Sequence, residues 1–359
     1  MIVFFVGTAA ELVKVAPVIR AVKARDARFR IVSSGQNDLR RSDLWPLADV
    51  EGPDLVLSTD PIAPRASGLA AWLARTTASG RGALARLLGG EDRRRVRGVV
   101  HGDTVSTLMG AALFRSVGVP VHHVEAGLRS FRVAEPFPEE ICRVLVSRIA
   151  SVAYCPNDWA ASHLYRRGLR KIVTGGNTLY DALALAEAAA PALPALPSRF
   201  FVLVVHRQEN LVGTSFLRRI LSAVRAAEQR PPCVFVMHAL TRAALERGGM
   251  LEELESDPSF CLLPRQPYVT FANVLGRAEY LITDGGSNQE EAFYLGKPCL
   301  LMRRVTERIE GLGENVLLSR EPAAEIGPFM RHPERWARPR VRLDASPSAI
   351  IAEDLTRAP

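Results

Sequence analysis

The chain has 359 residues, 48% of them hydrophobic and 23% charged, which exceeds one ordinary core and fits two domains of usual size. Its formal net charge of +8 rests on arginine, since only four of the 46 basic residues are lysine. The basic residues form no stripe interleaved with aromatics, and no apolar run reaches the length of a bilayer span, so neither nucleic acid nor a membrane is expected as a partner.

MIVFFVGT opens the chain without a basic segment or a cleavage site, so residues 2–6 are read as a buried strand, not a signal peptide, and a cytoplasmic location is expected. Gly7-Thr8 and then AELVKVAPVIRAVKAR follow, a turn and a helix whose free N–H groups can meet a phosphate; an ordinary βα turn accounts for them equally well. RIVSSG predicts a second strand. The dense run Arg93-Arg94-Arg95-Val96-Arg97 reads as a solvated connection leading into the next strand. GVV then enters His101-Gly102-Asp103-Thr104, STLMGAALFRSV predicts a helix, and VPVHHV delivers Glu125 at a strand end. Pro136-Phe137-Pro138 stiffens the approach to a helix starting at Glu139-Glu140, and VAYCPN is another strand.

From Glu187 to Arg199 the composition shifts to alanine and proline, and Pro191, Pro194 and Pro197 block a continuous helix. The pattern then restarts with FFVLVVH, a helix from about Thr214 to Gln229, CVFVMH, a helix, FCLLP, a helix near Val269 to Leu275, and YLITDGG. SPSAIIAEDLTRA predicts a final helix. Strands alternating with helices imply parallel sheets. The fold class is therefore α/β, with two Rossmann-like doubly wound domains facing a central cleft: residues 1–186, a linker 187–199, a second domain 200–335, and a tail 336–359 returning to the first.

Ligands of open α/β sheets bind outside the carboxyl ends of the strands, so Asp103 and Glu125 mark a site, and the nearby Glu139 suits the movement of protons. Glu139 and Arg143, four apart, share a helical face; a surface ion pair is the plain alternative to a positioned one. In the second half, His206 and Arg207 leave a strand end, where a histidine can donate to a phosphate oxygen and an arginine neutralise it. Gly285-Gly286 follow a strand and open a helix at about Asn288, letting the main chain approach an anion. Glu290 is read there as a surface carboxylate, and Glu291 as an acceptor for ribose hydroxyls. No GxGxxG or GxxxxGK[ST] accompanies them, which favours a nucleotide diphosphate without hydride or phosphoryl transfer. His101, His123 and His238 lie beside strand ends, while His122, His163 and His332 are read as structural or solvated. The five cysteines lack metal-ligand spacing and are read as free thiols.

Taken together, HGDT, HVEAGLRS, PEEICR, GGNTLYDAL, VHRQEN, TDGGSNQEEAFYLGKP and MRRVTER resemble the bacterial non-hydrolysing UDP-N-acetylglucosamine 2-epimerases, from the first strand to about Arg308. The resemblance implies a glycosyltransferase-B type fold, a homodimer, and interconversion of UDP-GlcNAc and UDP-ManNAc for polysaccharide precursors. It also implies no metal and no nicotinamide cofactor. UDP leaves C1 as the hydrogen at C2 is removed, giving a 2-acetamidoglucal, and adds back with protonation on the opposite face. Carried over by motif, Asp103 and Glu139 transfer protons at C2, Glu125 supports them, and His206 serves the leaving diphosphate. Lys14, Arg143, Gly286 and Glu291 match substrate-binding positions, joined by Arg207, Gly285 and Ser287. Clustered acids are expected to raise at least one pKa by repulsion and desolvation. The chain departs from the family's GTRPE at Ala9-Ala10, from its GQH at Asn37, and from its DSGG at Gly285-Gly286-Ser287. A hydrolase releasing ManNAc and UDP, or a glycosyltransferase of the same fold, are the alternatives, since fold alone does not separate them.

Overall fold

The computed structural model describes residues 1–60, 66–132, 137–228 and 230–358; Pro136 and Gln229, which figure in the expectations above, lie outside them. The chain divides into two compact units, Met1–Leu185 with Leu343–Pro359, and Ala186–Arg342.

The first unit holds β1 (Ile2–Val6), β2 (Phe29–Ser33), β3 (Leu55–Val56), β4 (Arg97–His101), β5 (Val121–Val124), β6 (Val152–Cys155) and β7 (Arg170–Val173). They form one parallel sheet in the order β3-β2-β1-β4-β5-β6-β7. β1 is buried along its whole length, and Phe4 pairs with both Ile31 and Val99. Such a central strand is covered on both faces, which is why IVFFV runs apolar without alternation. The chain proceeds outward from β1 to β3 and then returns to the other side of β1 with β4. The turns after β1 and β4 therefore leave neighbouring strands in opposite directions, the topological switch point where α/β sheets bind ligands.

A capping box starts the helix Ala9–Lys23: the Thr8 hydroxyl accepts from the Glu11 amide while the Glu11 carboxylate accepts from the Thr8 amide. Thr104 and Thr107 repeat that exchange at the head of the helix Val105–Ser116. The C-terminal helix Pro347–Thr356 packs along Ala9–Lys23 and buries Ile351, Ala352 and Leu355. Asp354 on it accepts two hydrogen bonds from Arg170, at 2.6 and 2.8 Å, and one of 2.8 Å from the Tyr154 hydroxyl.

The second unit holds β8 (Phe201–Val204), β9 (Cys233–Met237), β10 (Phe260–Pro264), β11 (Leu281–Thr283), β12 (Cys299–Met302) and β13 (Val316–Ser319). All pair in parallel in the order β10-β9-β8-β11-β12-β13, with the switch point between β8 and β11. Phe201, Leu203 and Val205 enter one core cluster, and Phe200, Val202 and Val204 the cluster on the other face. Phe201 stacks on Tyr280 with ring centroids 4.9 Å apart; burying a side chain of that size contributes about 1.5–3 kcal/mol. The helix Leu179–Ala188 extends into the segment expected as a linker, so Glu187 and Ala188 are helical. No helix among the described residues is long and apolar enough to cross a membrane.

Candidate active site

Acids in the first unit gather at its switch point. Glu125 directly follows β5 with a backbone φ of 61°, a left-handed conformation costly for a side chain of its size and kept where surrounding contacts impose it. Its carboxylate, 3% exposed, accepts from Lys14 Nζ and Asn177 Nδ2 and lies 3.7 Å from His101 Nε2. Lys14 comes from the helix after β1, and Asn177 from the Gly175-Gly176 turn after β7. Glu125 thus joins three strand ends.

Asp103 follows Gly102 in the turn after β4. Arg143 grips one of its oxygens, Oδ2, with Nε at 2.8 Å and also with Nη2. Oδ1 accepts no hydrogen bond among the described residues, and the side chain is 20% exposed. Behind this pair, buried His123 donates from Nε2 to the Gly102 carbonyl at 2.7 Å, and burial holds its pKa below the ordinary value.

On the helix Glu139–Ile149, Glu140 is buried and accepts from Arg129, from the Ser130 amide at 3.0 Å and from Arg143 Nη1 at 3.2 Å. Burial pushes its pKa up, but Arg129, the Ser130 amide and Arg143 outweigh that and hold it below the usual carboxylate range. Glu139 opens the helix half-buried. The Cys142 thiol is pushed up to about 11 by burial and then by the charges of Asp103 and Glu139, so both acids flank it.

Cations therefore match the acids here: Lys14 with Glu125, Arg143 with Asp103 and Glu140, Arg129 with Glu140. Burial raises the pKa of Glu11, which sequence reasoning passed over. Glu11 accepts from the amides of Gly7 and Thr8 and from the hydroxyls of Thr104 and Thr107, tying the turn after β1 to the turn that carries Asp103.

In the second unit, His206 and Arg207 leave β8 beside the turn after β11. Asp284, fully buried at the end of β11, accepts from the His206 amide at 3.0 Å, the Arg207 amide at 3.0 Å and Asn210 Nδ2 at 2.9 Å. Its Oδ1 lies 3.0 Å from His206 Nδ1. Burial raises the Asp284 pKa, yet His206, Asn210 and the Arg207 amide overcome it and keep the group ionised. His206 stacks on His238 at 4.9 Å, and burial, then the neighbouring His206 and Arg265, push His238 down to about 4.

Gly285 caps the helix Gly286–Leu295, which starts two residues before the expected Asn288. A methyl group on Gly285 would meet Asn288 Oδ1 at 2.4 Å and His206 Cε1 at 2.8 Å, so only glycine lets the imidazole approach so closely. The Ser287 hydroxyl, half-buried, makes no hydrogen bond among the described residues. Arg207 pairs with Glu209. Glu291 is 3% exposed and accepts from Asn288 Nδ2 at 2.8 Å. Glu290 is not the surface carboxylate expected: it is wholly buried with Arg308 Nη1 2.9 Å away, because this helix is enclosed on more than one face.

The structure therefore brings Lys14, Asp103, Glu125, Glu139 and Arg143 into one neighbourhood of the first unit. It brings His206, Arg207, Gly285 and Gly286 to one strand-end neighbourhood of the second. Sequence reasoning missed Glu11, Asn177, Asp284 and Arg308. Asn177 carries the same signal as Gly285, a glycine pair directly after a strand.

Two parallel α/β units, one bearing clustered acids at its strand ends and the other a glycine-opened helix beside a histidine, define an enzyme of the glycosyltransferase-B type. Residues 71–327 match the family model of UDP-N-acetylglucosamine 2-epimerase, and the chain belongs to that family. The Pseudomonas aeruginosa UDP-2,3-diacetamido-2,3-dideoxy-D-glucuronate 2-epimerase is 36% identical over 231 residues, covering 62% of this chain and 63% of the relative. The chain thus spans less than two thirds of that curated relative. The Methanocaldococcus jannaschii UDP-N-acetylglucosamine 2-epimerase is 29% identical over 327 residues, covering 87% and 86%, so similarity extends beyond bacteria. The UDP-GlcNAc 2-epimerase from Neisseria meningitidis, solved with UDP-GlcNAc, superposes with a TM-score of 0.80 at 26% identity over 99% of both chains.

Proposed function

We propose that this protein inverts C2 of a UDP-activated 2-acetamido sugar, interconverting UDP-GlcNAc and UDP-ManNAc without net hydrolysis, to supply polysaccharide precursors. The observation that carries this reading is Asp103, held through Oδ2 by Arg143 while Oδ1 accepts nothing among the described residues. A carboxylate fixed by one oxygen and open at the other suits proton abstraction.

In this reading Asp103 takes the C2 proton. The C–H electron pair becomes the C1=C2 double bond as the C1–O bond breaks and UDP leaves with its electrons. Glu139 supplies a proton to the opposite face of C2 as UDP adds back to C1, and the roles exchange in the reverse direction. Glu125, held by Lys14 and Asn177, supports this proton transfer; Lys14, Arg143 and Glu291 bind substrate. Aligned by Asp284, His206 serves the leaving diphosphate with Arg207, while Gly286 and Ser287 present backbone N–H groups at a helix N-terminus and Gly285, whose amide donates to the Thr283 hydroxyl at 3.0 Å, shapes the turn against the substrate. Each well-placed acid or base contributes roughly 10²–10⁴ in rate. A cytoplasmic homodimer belongs to the same proposal.

The name of the Pseudomonas aeruginosa relative favours a second reading, the same C2 chemistry on a diacetamido-uronate. The test is to incubate the protein separately with UDP-GlcNAc and with the UDP-diacetamido-uronate and analyse the products by NMR. A new UDP-ManNAc signal supports the first reading, and turnover of the uronate alone supports the second. Accumulating ManNAc and free UDP would replace both with hydrolysis; an acceptor-dependent loss of sugar would indicate transfer.

A further inference from the structure

Register lines up the ends of three adjacent strands in the second sheet. Thr283 of β11 pairs with Val204 of β8 on one side and with Leu301 of β12 on the other. Two residues further on, His206, Gly285 and Arg303 therefore stand in a row along the carboxyl edge of the sheet, beside its switch point. His206 and Gly285 belong to the reading above; Arg303 has no role in it.

The Arg303 side chain is 5% exposed and donates from Nη2 to Glu307 Oε2 at 3.0 Å. Its other terminal nitrogen, Nη1, is buried and has no hydrogen-bond partner among the described residues. A Cβ built on Gly286 would lie 3.0 Å from this Nη1, so the idle edge of the guanidinium rests against the first residue of the helix Gly286–Leu295. The leading N–H groups of a helix have no intrahelical acceptor, and a guanidinium has donors but no acceptor, so both demand the same chemistry. Glu307 is engaged at the other edge of Arg303, and Glu290 by Arg308. Burial lowers the Arg303 pKa and Arg207 and Arg308 add to this against Glu307, so an anion there would relieve charge already held out of water.

We propose that Arg303 is a ligand of the substrate's diphosphate, donating through Nη1 to a phosphate oxygen seated on the N-terminus of the helix Gly286–Leu295. This rests on the nucleotide-sugar reading. With Arg207 beside His206 on the β8 side of Gly285 and Arg303 on the β12 side, hydrogen-bond donors flank the glycine turn on both sides, which suits two linked phosphates better than one.

Isothermal titration of the full chain with UDP and with uridine tests it. Arg303→Gln is expected to weaken UDP binding roughly 10- to 100-fold and leave uridine binding within about threefold, and Arg303→Lys to recover only part of the loss because the fork geometry is gone. Gly286→Ala, which keeps every charge but presses a methyl on Nη1, is expected to weaken UDP in the same direction and decides the matter if the Arg303 variants fail to fold. Wild-type protein that does not bind UDP would overturn the nucleotide reading itself. Wild-type protein that binds UDP, with Arg303→Gln or a folded Gly286→Ala binding it equally well, would overturn the assignment of Arg303 alone.

Discussion

Replacing Asp284 by asparagine removes one charge at almost constant volume. In the native structure Oδ2 accepts from the Arg207 amide at 3.0 Å and Asn210 at 2.9 Å, while Oδ1 accepts from the His206 amide at 3.0 Å and faces His206 Nδ1 at the same distance. An asparagine oriented to keep the Oδ2 bonds must turn its NH₂ toward the His206 amide and ring. The His206 amide, which in the native structure also donates to Oδ2 at 3.1 Å, then keeps one acceptor and loses the other, a change of about 0.5–1.5 kcal/mol in stability. The ring nitrogen nearest residue 284 then faces an NH₂ group in place of a carboxylate oxygen 3.0 Å away, and the charge that steadied the imidazole is gone. Losing a charge-assisted contact of about 1.5–3 kcal/mol corresponds to a drop of roughly 10- to 100-fold in kcat/KM. Steady-state kinetics and thermal unfolding on the same preparation separate the two effects. A variant with wild-type kcat/KM and an unchanged melting temperature would refute this account of how His206 is held.

Gly285→Ala has a permissible backbone, φ −88°, yet its methyl would reach 2.8 Å from His206 Cε1, so kcat is expected to fall at least about tenfold while stability falls by about 1–3 kcal/mol, measured by kinetics beside calorimetry. Lys14→Met removes the ammonium that donates to the buried Glu125 carboxylate and is expected to cost about 3–5 kcal/mol in chemical denaturation; a loss below about 1 kcal/mol would mean that the pair is not a fixed part of the fold. Burial pushes His122 down to about 4 from an unfolded value near 6.5, so the unfolded chain takes up the proton first. Stability is then full above about pH 6.5, drains as pH falls and levels near pH 4, a loss of roughly 3 kcal/mol from this group. His122→Asn should flatten the denaturation profile between pH 7 and pH 5, and an equally steep profile would contradict the assignment.

Much of the architecture is legible in local pattern. The unbroken apolar run of Phe200 to Val205 signals a strand covered on both faces, and the glycine pair after β11 signals a helix start open to an anion. Asp103 and Glu125 are readable because each follows an apolar run. Contacts that cross the fold are not readable in this way. Arg143 meets Asp103, forty positions away, through the packing of a helix against a strand-end turn, whereas spacing along a helix reveals only neighbours three and four apart. Asp284 meets His206 across 78 positions because β8 and β11 are adjacent, a fact of strand order. The helix Ala66–Leu88 was not foreseen at all: Gly80, Gly82, Thr76 and Thr77 weaken its propensity, and it is buried Trp72, Leu84 and Leu88 that hold it to the sheet. Glu290 misleads because a helix enclosed on several faces shows no apolar stripe from which burial can be inferred.

The central claim is that a proton is removed from and returned to C2 of a UDP-sugar. Incubating the protein with UDP-GlcNAc in heavy water and following the sugar by proton NMR tests it most directly. The account predicts loss of the C2 proton signal as deuterium enters, together with a growing UDP-ManNAc signal, and loss of both in Asp103→Asn with UDP binding largely retained. Epimer formation with the C2 proton kept, or no exchange by a wild-type protein that binds UDP-GlcNAc, would contradict it.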